Sequence, residues 1–130
     1  MKVNGTPYRS IWYEENEVRI IDQRWLPHDF RIATLKTRDD FATAIRDMWV
    51  RGAPLIGATA AYGVAEDMAR DPTDENLDET WEVLNATRPT AINLRWALNR
   101  CRAYLKPLPM ADRAEAAFRL AHEIADEDVE

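Results

Sequence analysis

The sequence predicts an α+β fold, mostly helical: a small N-terminal antiparallel β-sheet followed by a bundle of about five helices. Three observations carry this expectation. Short runs of β-branched and aromatic residues are confined to positions 1–36. From Thr37 onward, apolar residues recur at helical spacing. Prolines at 54, 72, 89, 107 and 109 break that second part into helix-length pieces. A chain of 130 residues is long enough for one domain with a real core and short for two. The expected organisation is therefore a single domain over 1–130, with a sheet element at 1–36 and a helical bundle at 37–130.

Residues 10–14 and 17–24 read as strands, with Glu15-Asn16 as a tight turn between them. Pro27 ends the second strand, and Phe30 to Leu35 reads as a third. Thr37 with Asp40 three residues on resembles a capping box, with Asp in place of Glu or Gln. Phe41, Ile45, Met48 and Trp49 then mark one helix face, and that helix stops near Gly52. Pro54 opens a second helix, through about Arg70, rich in small residues: Gly57, Ala58, Ala60, Ala61 and Gly63. Two glycines inside a helix cost roughly 1 kcal/mol each relative to alanine, so close backbone packing is expected to offset them. After the break at Asp71-Pro72, Thr73 caps a helix with Leu77, Trp81 and Leu84 on one face. Another helix runs from Pro89 or Thr90 to about Leu105, with Leu94, Ala97, Leu98 and Cys101 inward. The last, about 111–126, turns Phe118, Ala121 and Ile124 inward.

Bulk properties narrow the function. Net charge is −6 and no basic stripe appears, so binding to nucleic acid is not expected. The single cysteine allows no internal disulfide and fits a reducing cytoplasm. No leader-like or membrane-spanning apolar run is present, so no membrane partner is expected. The acidic stretch Asp71–Glu82 and the acidic tail read as a solvated helix face and a frayed terminus.

Catalytic candidates are few. His28 and His122 have no partner at metal-ligand spacing; the first reads as a loop residue and the second as solvated. Cys101 reads as a small buried hydrophobe, and Asp22 as a strand-end residue. No nucleophile elbow, phosphate loop or dinucleotide fingerprint occurs. No catalytic residue, metal or cofactor is therefore assigned.

Two segments remain: Arg51-Gly52-Ala53-Pro54 and Thr87-Arg88-Pro89-Thr90. Each sets an arginine just ahead of a proline that reads as the first residue of a helix, where its missing N–H has no partner anyway. A helix start offers free N–H groups and partial positive charge, and an arginine adds a fixed fork. Gly52 would let a ligand oxygen approach its own N–H and that of Ala53. Thr87 and Thr90 would add hydroxyl donors. Arg51, Gly52, Ala53 and Arg88 are thus the expected substrate-binding residues, a divided clamp for a phosphate. On spacing alone, surface arginines paired with the acidic stretch account for both segments as well.

Three blocks also resemble a known family: Asp22-Gln-Arg-Trp-Leu-Pro27, Arg51-Gly-Ala-Pro-Leu-Ile-Gly-Ala-Thr-Ala-Ala-Tyr-Gly63 and Thr87-Arg-Pro-Thr-Ala-Ile-Asn-Leu-Arg-Trp-Ala-Leu98. They occur in the order found in methylthioribose-1-phosphate isomerases of methionine salvage. That superfamily includes ribose-1,5-bisphosphate isomerases and the regulatory subunits of eukaryotic translation initiation factor two-B. The resemblance implies conversion of 5-methylthioribose 1-phosphate to 5-methylthioribulose 1-phosphate, with Arg51, Gly52, Ala53 and Arg88 at the substrate's phosphate. It also implies that the catalytic cysteine, in a Thr-His-Cys-Asn stretch, and the catalytic aspartate belong to a Rossmann-like second domain absent here. The chain then corresponds to the N-terminal domain, inactive alone, of a protein that is a homodimer at full length. The alternatives it implies are a non-catalytic regulatory or assembly module, like the regulatory subunits of initiation factor two-B, or a ribose-1,5-bisphosphate isomerase.

Overall fold

The computed structural model describes residues 2–3, 6–7, 11–14, 17–21, 32–47, 49–50, 53–88 and 91–128. Five strands come first: β1 (Lys2–Val3), β2 (Thr6–Pro7), β3 (Ile11–Glu14), β4 (Glu17–Ile21) and β5 (Ile32–Leu35). Five helices follow: α1 (Arg38–Arg46), α2 (Ala53–Arg70), α3 (Asp74–Thr87), α4 (Ile92–Leu105) and α5 (Met110–Asp128). This is the α+β, mostly helical order that the sequence predicts.

Strands β3, β4 and β5 form an antiparallel sheet in that order. The register pairs Ile11 with Ile20, Glu14 with Glu17 and Val18 with Leu35. Alternation puts Ile11, Val18, Ile20 and Leu35 on the buried face, all at most 2 % exposed. Strands β1 and β2 pair with each other as a separate antiparallel sheet of two. Its signal is the Asn4-Gly5 dipeptide between the two strands. The turn Glu15-Asn16, the stretch from Asp22 through Phe30, and Met48 lie outside the described residues.

Helix α1 opens as read. The Asp40 N–H donates to Thr37 Oγ1 at 3.2 Å, and the Thr37 N–H donates to the Asp40 carboxylate at 3.2 Å. A shorter Asp side chain thus completes the capping box. The helix ends at Arg46, before the expected stop near Gly52. The Trp49 N–H donates back to the Ala44 carbonyl at 2.9 Å, past the last turn of the helix. Trp49 therefore lies beyond the helix.

Helix α2 is the centre of the molecule, packed by all four other helices and by β3. Every residue from Leu55 to Ala65 is buried, so the helix is apolar all round rather than amphipathic. Its glycines explain how neighbours come so close. A Cβ on Gly63 would lie 3.1 Å from Phe41 Cβ on α1 and 3.2 Å from Leu84 Cδ1 on α3. Buried Thr59 donates to the Leu55 carbonyl at 2.8 Å and so leaves no unpaired donor.

Side-chain contacts fix the helix directions. Arg38 meets Asp67 and Phe41 meets Gly63, so α1 runs antiparallel to α2. Asn76 meets Asp67 and Leu84 meets Gly63, so α3 also runs antiparallel to α2. Gly57 meets Asn93 and Ala97 near the start of both helices, so α2 and α4 begin together. At the opposite end, Arg113 donates to the carbonyls of Pro72 (2.8 Å), Leu105 (3.0 Å) and Lys106 (2.9 Å), tying the exits of α2 and α4 to α5. Helices α2 and α4 are therefore parallel.

The expected start of α4 at Pro89 or Thr90 is corrected. The helix begins at Ile92, with Ala91 as its N-cap. Arg88 is instead the C-cap of α3, at φ −147° and ψ 73°. The cause is steric, since a residue before proline is pushed out of the helical region. The Ala91 N–H then donates to the Arg88 carbonyl at 2.9 Å, closing a turn between the two helices.

Candidate functional site

Of the four expected clamp residues, Arg51 and Gly52 lie outside the described residues. Ala53 is the first residue of α2. Arg88 is half-buried at the end of α3. A Cβ on Gly57, one turn into α2, would sit 3.5 Å from the carbonyl oxygen of Asn93, the second residue of α4. The first turns of α2 and α4 thus open at one end of the bundle. Antiparallel α3 delivers Arg88 to that same end. The structure therefore brings Ala53 and Arg88 to one region, although residues 54–87 separate them in sequence.

That end differs electrostatically from the others. Helices α1, α3 and α5 carry acids in their first turns: Asp39 and Asp40, Asp74 and Glu75, and Asp112. Helices α2 and α4 carry none, and the Ala91 cap of α4 makes no side-chain hydrogen bond. The partial positive charge of two parallel helix starts is thus not offset by their own side chains. One expected donor is lost. The Thr87 hydroxyl donates to the Leu84 carbonyl at 2.6 Å, the local back-bond typical of threonine near a helix end. Its proton is therefore committed, and Thr90 lies outside the described residues.

The sequence-based reading of His122 as solvated is also corrected. Its ring packs edge-on against Tyr62 and Tyr13, with centroids 5.4 Å apart in both pairs, and beside Phe118. Its Nδ1 shares a 2.7 Å hydrogen bond with the Tyr62 hydroxyl. This knot fastens β3 to α2 and α5. Cys101 is 1 % exposed, and burial pushes its thiol up to about 12, which makes it inert as a nucleophile.

A second polar cluster carried no sequence signal. Asp67, 3 % exposed on α2, accepts hydrogen bonds from Arg70 Nε (2.8 Å), Asn76 Nδ2 (3.0 Å) and the Thr80 hydroxyl. Burial pushes its carboxyl up, but the bonds from Arg70 and Thr80 and the charges of Arg70 and Arg38 outweigh that, so it titrates below the ordinary range. A cleft of about 240 Å³ beside it is lined in part by Lys36, Arg38, Glu66 and Arg70. The cations there already face carboxylates: Lys36 with Glu17 at 3.4 Å, Arg38 with Glu79 and Asp67 at 3.5 Å, and Arg70 with Asp67. This is a structural lock joining α1, α2 and α3. It lies about 21 Å along α2 from Ala53, at 1.5 Å per residue. Among the described residues, no group of acids, histidines or cysteine is arranged to hold a metal, and no helix is long and apolar enough to cross a membrane.

Comparison with known proteins adds a context to this geometry. The chain is 71% identical over its whole length to the methylthioribose-1-phosphate isomerase of Cereibacter sphaeroides and 67% identical to that of Brucella anthropi. It spans 36% of the length of each. A crystal structure of 5-methylthioribose 1-phosphate isomerase from Pyrococcus horikoshii superposes with a TM-score of 0.85 at 36% identity, over 99% of this chain and 40% of that one. The delta subunit of translation initiation factor eIF-2B from A. fulgidus superposes with a TM-score of 0.84 at 33% identity, over 95% of this chain and 38% of that one. Residues 49–130, which include both arginine segments, match the initiation factor 2 subunit family, and the chain belongs to that family.

Proposed function

We propose that this chain is the substrate-binding N-terminal domain of an aldose–ketose isomerase, which converts 5-methylthioribose 1-phosphate to 5-methylthioribulose 1-phosphate. Arg51, Gly52, Ala53 and Arg88 hold the phosphate. The observation that carries the reading is the shared opening of α2 and α4, with no acid in the first turn of either helix, at the end of the bundle towards which α3 runs to its C-cap Arg88. Two helix starts and two guanidinium groups supply backbone donors and fixed positive charge to one dianion. The identities of 71% and 67% to proteins named for this reaction support the choice of sugar.

In this reading the chain's own residues bind and orient. The arginines neutralise the phosphate, and the free N–H groups at the start of α2 fix its oxygens. The sugar carbons are then held at a set angle for proton transfer by groups outside this chain. The protein works in the cytoplasm on a small molecule, as a homodimer at full length, and takes no nucleic acid.

Calorimetry with 5-methylthioribose 1-phosphate, ribose 1,5-bisphosphate and inorganic phosphate tests this. The methylthio sugar should bind more tightly than inorganic phosphate, with no turnover by these 130 residues. Equal binding of all three ligands argues against the sugar assignment, and conversion to the ketose by this chain refutes the division of labour. A second reading, a non-catalytic regulatory or assembly module, draws on the TM-score of 0.84 to the eIF-2B delta subunit. It expects no binding of any of the three at millimolar concentration.

A further inference from the structure

The cleft of about 240 Å³ beside Asp67 holds two groups that the ion pairs around it leave over. The first is on Arg38. Its terminal nitrogens face Asp67 and Glu79, both at 3.5 Å, but its Nε–H is buried without an acceptor among the described residues. The second is the carboxylate of Glu66, half-buried on α2. Burial raises it, and no hydrogen bond or cation among the described residues offsets that. Successive residues on a helix point about 100° apart, so a guanidinium turned to Asp67 does not also meet Glu66.

The charges on the wall balance: Lys36, Arg38 and Arg70 against Asp39, Glu66 and Asp67. A lone anion or a lone cation would meet an equal opposing charge there. A neutral molecule carrying both charges would not. The volume lies below the roughly 300–1,000 Å³ of clefts that take drug-sized ligands, so the occupant is small. We propose that this cleft binds a free amino acid as its zwitterion, with the ammonium on the Glu66 carboxylate and the carboxylate on the Arg38 Nε–H. Both contacts are charge-assisted, the stronger kind of hydrogen bond. Each gives a partner to a group that is costly to leave unpaired. Water can accept from the Nε–H but brings no charge to Glu66. The inference does not depend on the phosphate reading, because it uses no residue of that clamp.

The test titrates the isotope-labelled 130-residue chain with glycine and L-alanine at about pH 6.5 and follows the Arg38 Nε–H resonance by NMR. Both amino acids should shift it saturably. Acetate and methylammonium, which carry one charge each, should bind about tenfold more weakly or worse. Glu66→Gln keeps the shape and removes the charge, so it should fold and bind L-alanine about tenfold more weakly. L-alanine should also raise the melting temperature of the natural chain and not that of Glu66→Gln, which reads the same binding without the Arg38 signal. No saturable shift with either amino acid overturns the proposal. So does equal binding by Glu66→Gln. Acetate binding as tightly as L-alanine would make this an anion site, and methylammonium doing so would make it a cation site; either result also overturns the proposal.

Discussion

Asp67 shows how a single side chain sets a pH dependence. Its carboxyl titrates below the ordinary 3.8 in the folded state. Its contribution to stability is therefore complete above the unfolded value and is lost as pH falls through the lower folded value. Glu66, one residue earlier, has the opposite sign. Burial raises its carboxyl, so ionising it costs the folded state, and stability from this group grows as pH falls. Denaturant titrations from pH 3 to pH 7 should show Asp67→Asn destabilised by about 2 kcal/mol at pH 7, with a shallower acid limb. Glu66→Gln should be neutral or slightly stabilised at pH 7. An unchanged acid limb in Asp67→Asn would remove Asp67 as its source. Neither residue was legible in the sequence, because an Asp near a helix end looks the same whether buried or solvated. Only the positions of Thr80, Asn76 and Arg70, set by the fold, distinguish the two cases. His122 follows the same logic, since its aromatic neighbours come from three separate elements.

At the scale of elements, more could be read. The Thr37 and Thr73 caps, the buried faces of α3 and α4, and the glycine-bearing α2 follow from local rules and were legible. The start of α4 was not, because a proline that can open a helix can also close the turn before one. The glycines make a sharp prediction. A Cβ at Gly57 would meet Ala97 at 3.4 Å, an ordinary contact, whereas at Gly63 it would meet Phe41 Cβ at 3.1 Å. Phe41 Cβ is held by the α1 backbone and cannot swing away. Gly57→Ala should therefore raise stability by up to about 1 kcal/mol from helix propensity. Gly63→Ala should lower it by about 1–3 kcal/mol from overpacking. Thermal melts of the two variants should move in opposite directions, and a matching gain for Gly63→Ala would show that α1 yields. Arg113 joins two inter-helix connections through backbone carbonyls and meets Asp74 at 2.6 Å. Arg113→Met should cost about 3 kcal/mol by leaving buried carbonyls unpaired, measurable as a lower urea midpoint. A loss under 1 kcal/mol would mean that water replaces the guanidinium.

For the molecule as a whole, one topological fact matters most. Helices α2 and α4 are parallel, so their starts share an end, and antiparallel α3 returns Arg88 to it. The sequence placed an arginine before each helix but could not say that the two helices run side by side, since that depends on contacts such as Gly57 with Asn93. The central claim is that Arg51 and Arg88 act on one anion. A double-mutant cycle by calorimetry with 5-methylthioribose 1-phosphate, using Arg51→Ala, Arg88→Ala and the double variant, tests it most directly. Each single variant should weaken binding by about 1.5–3 kcal/mol, and the pair should depart from additivity by at least about 0.5 kcal/mol. Two losses that simply add, or no loss at all, would contradict a shared site.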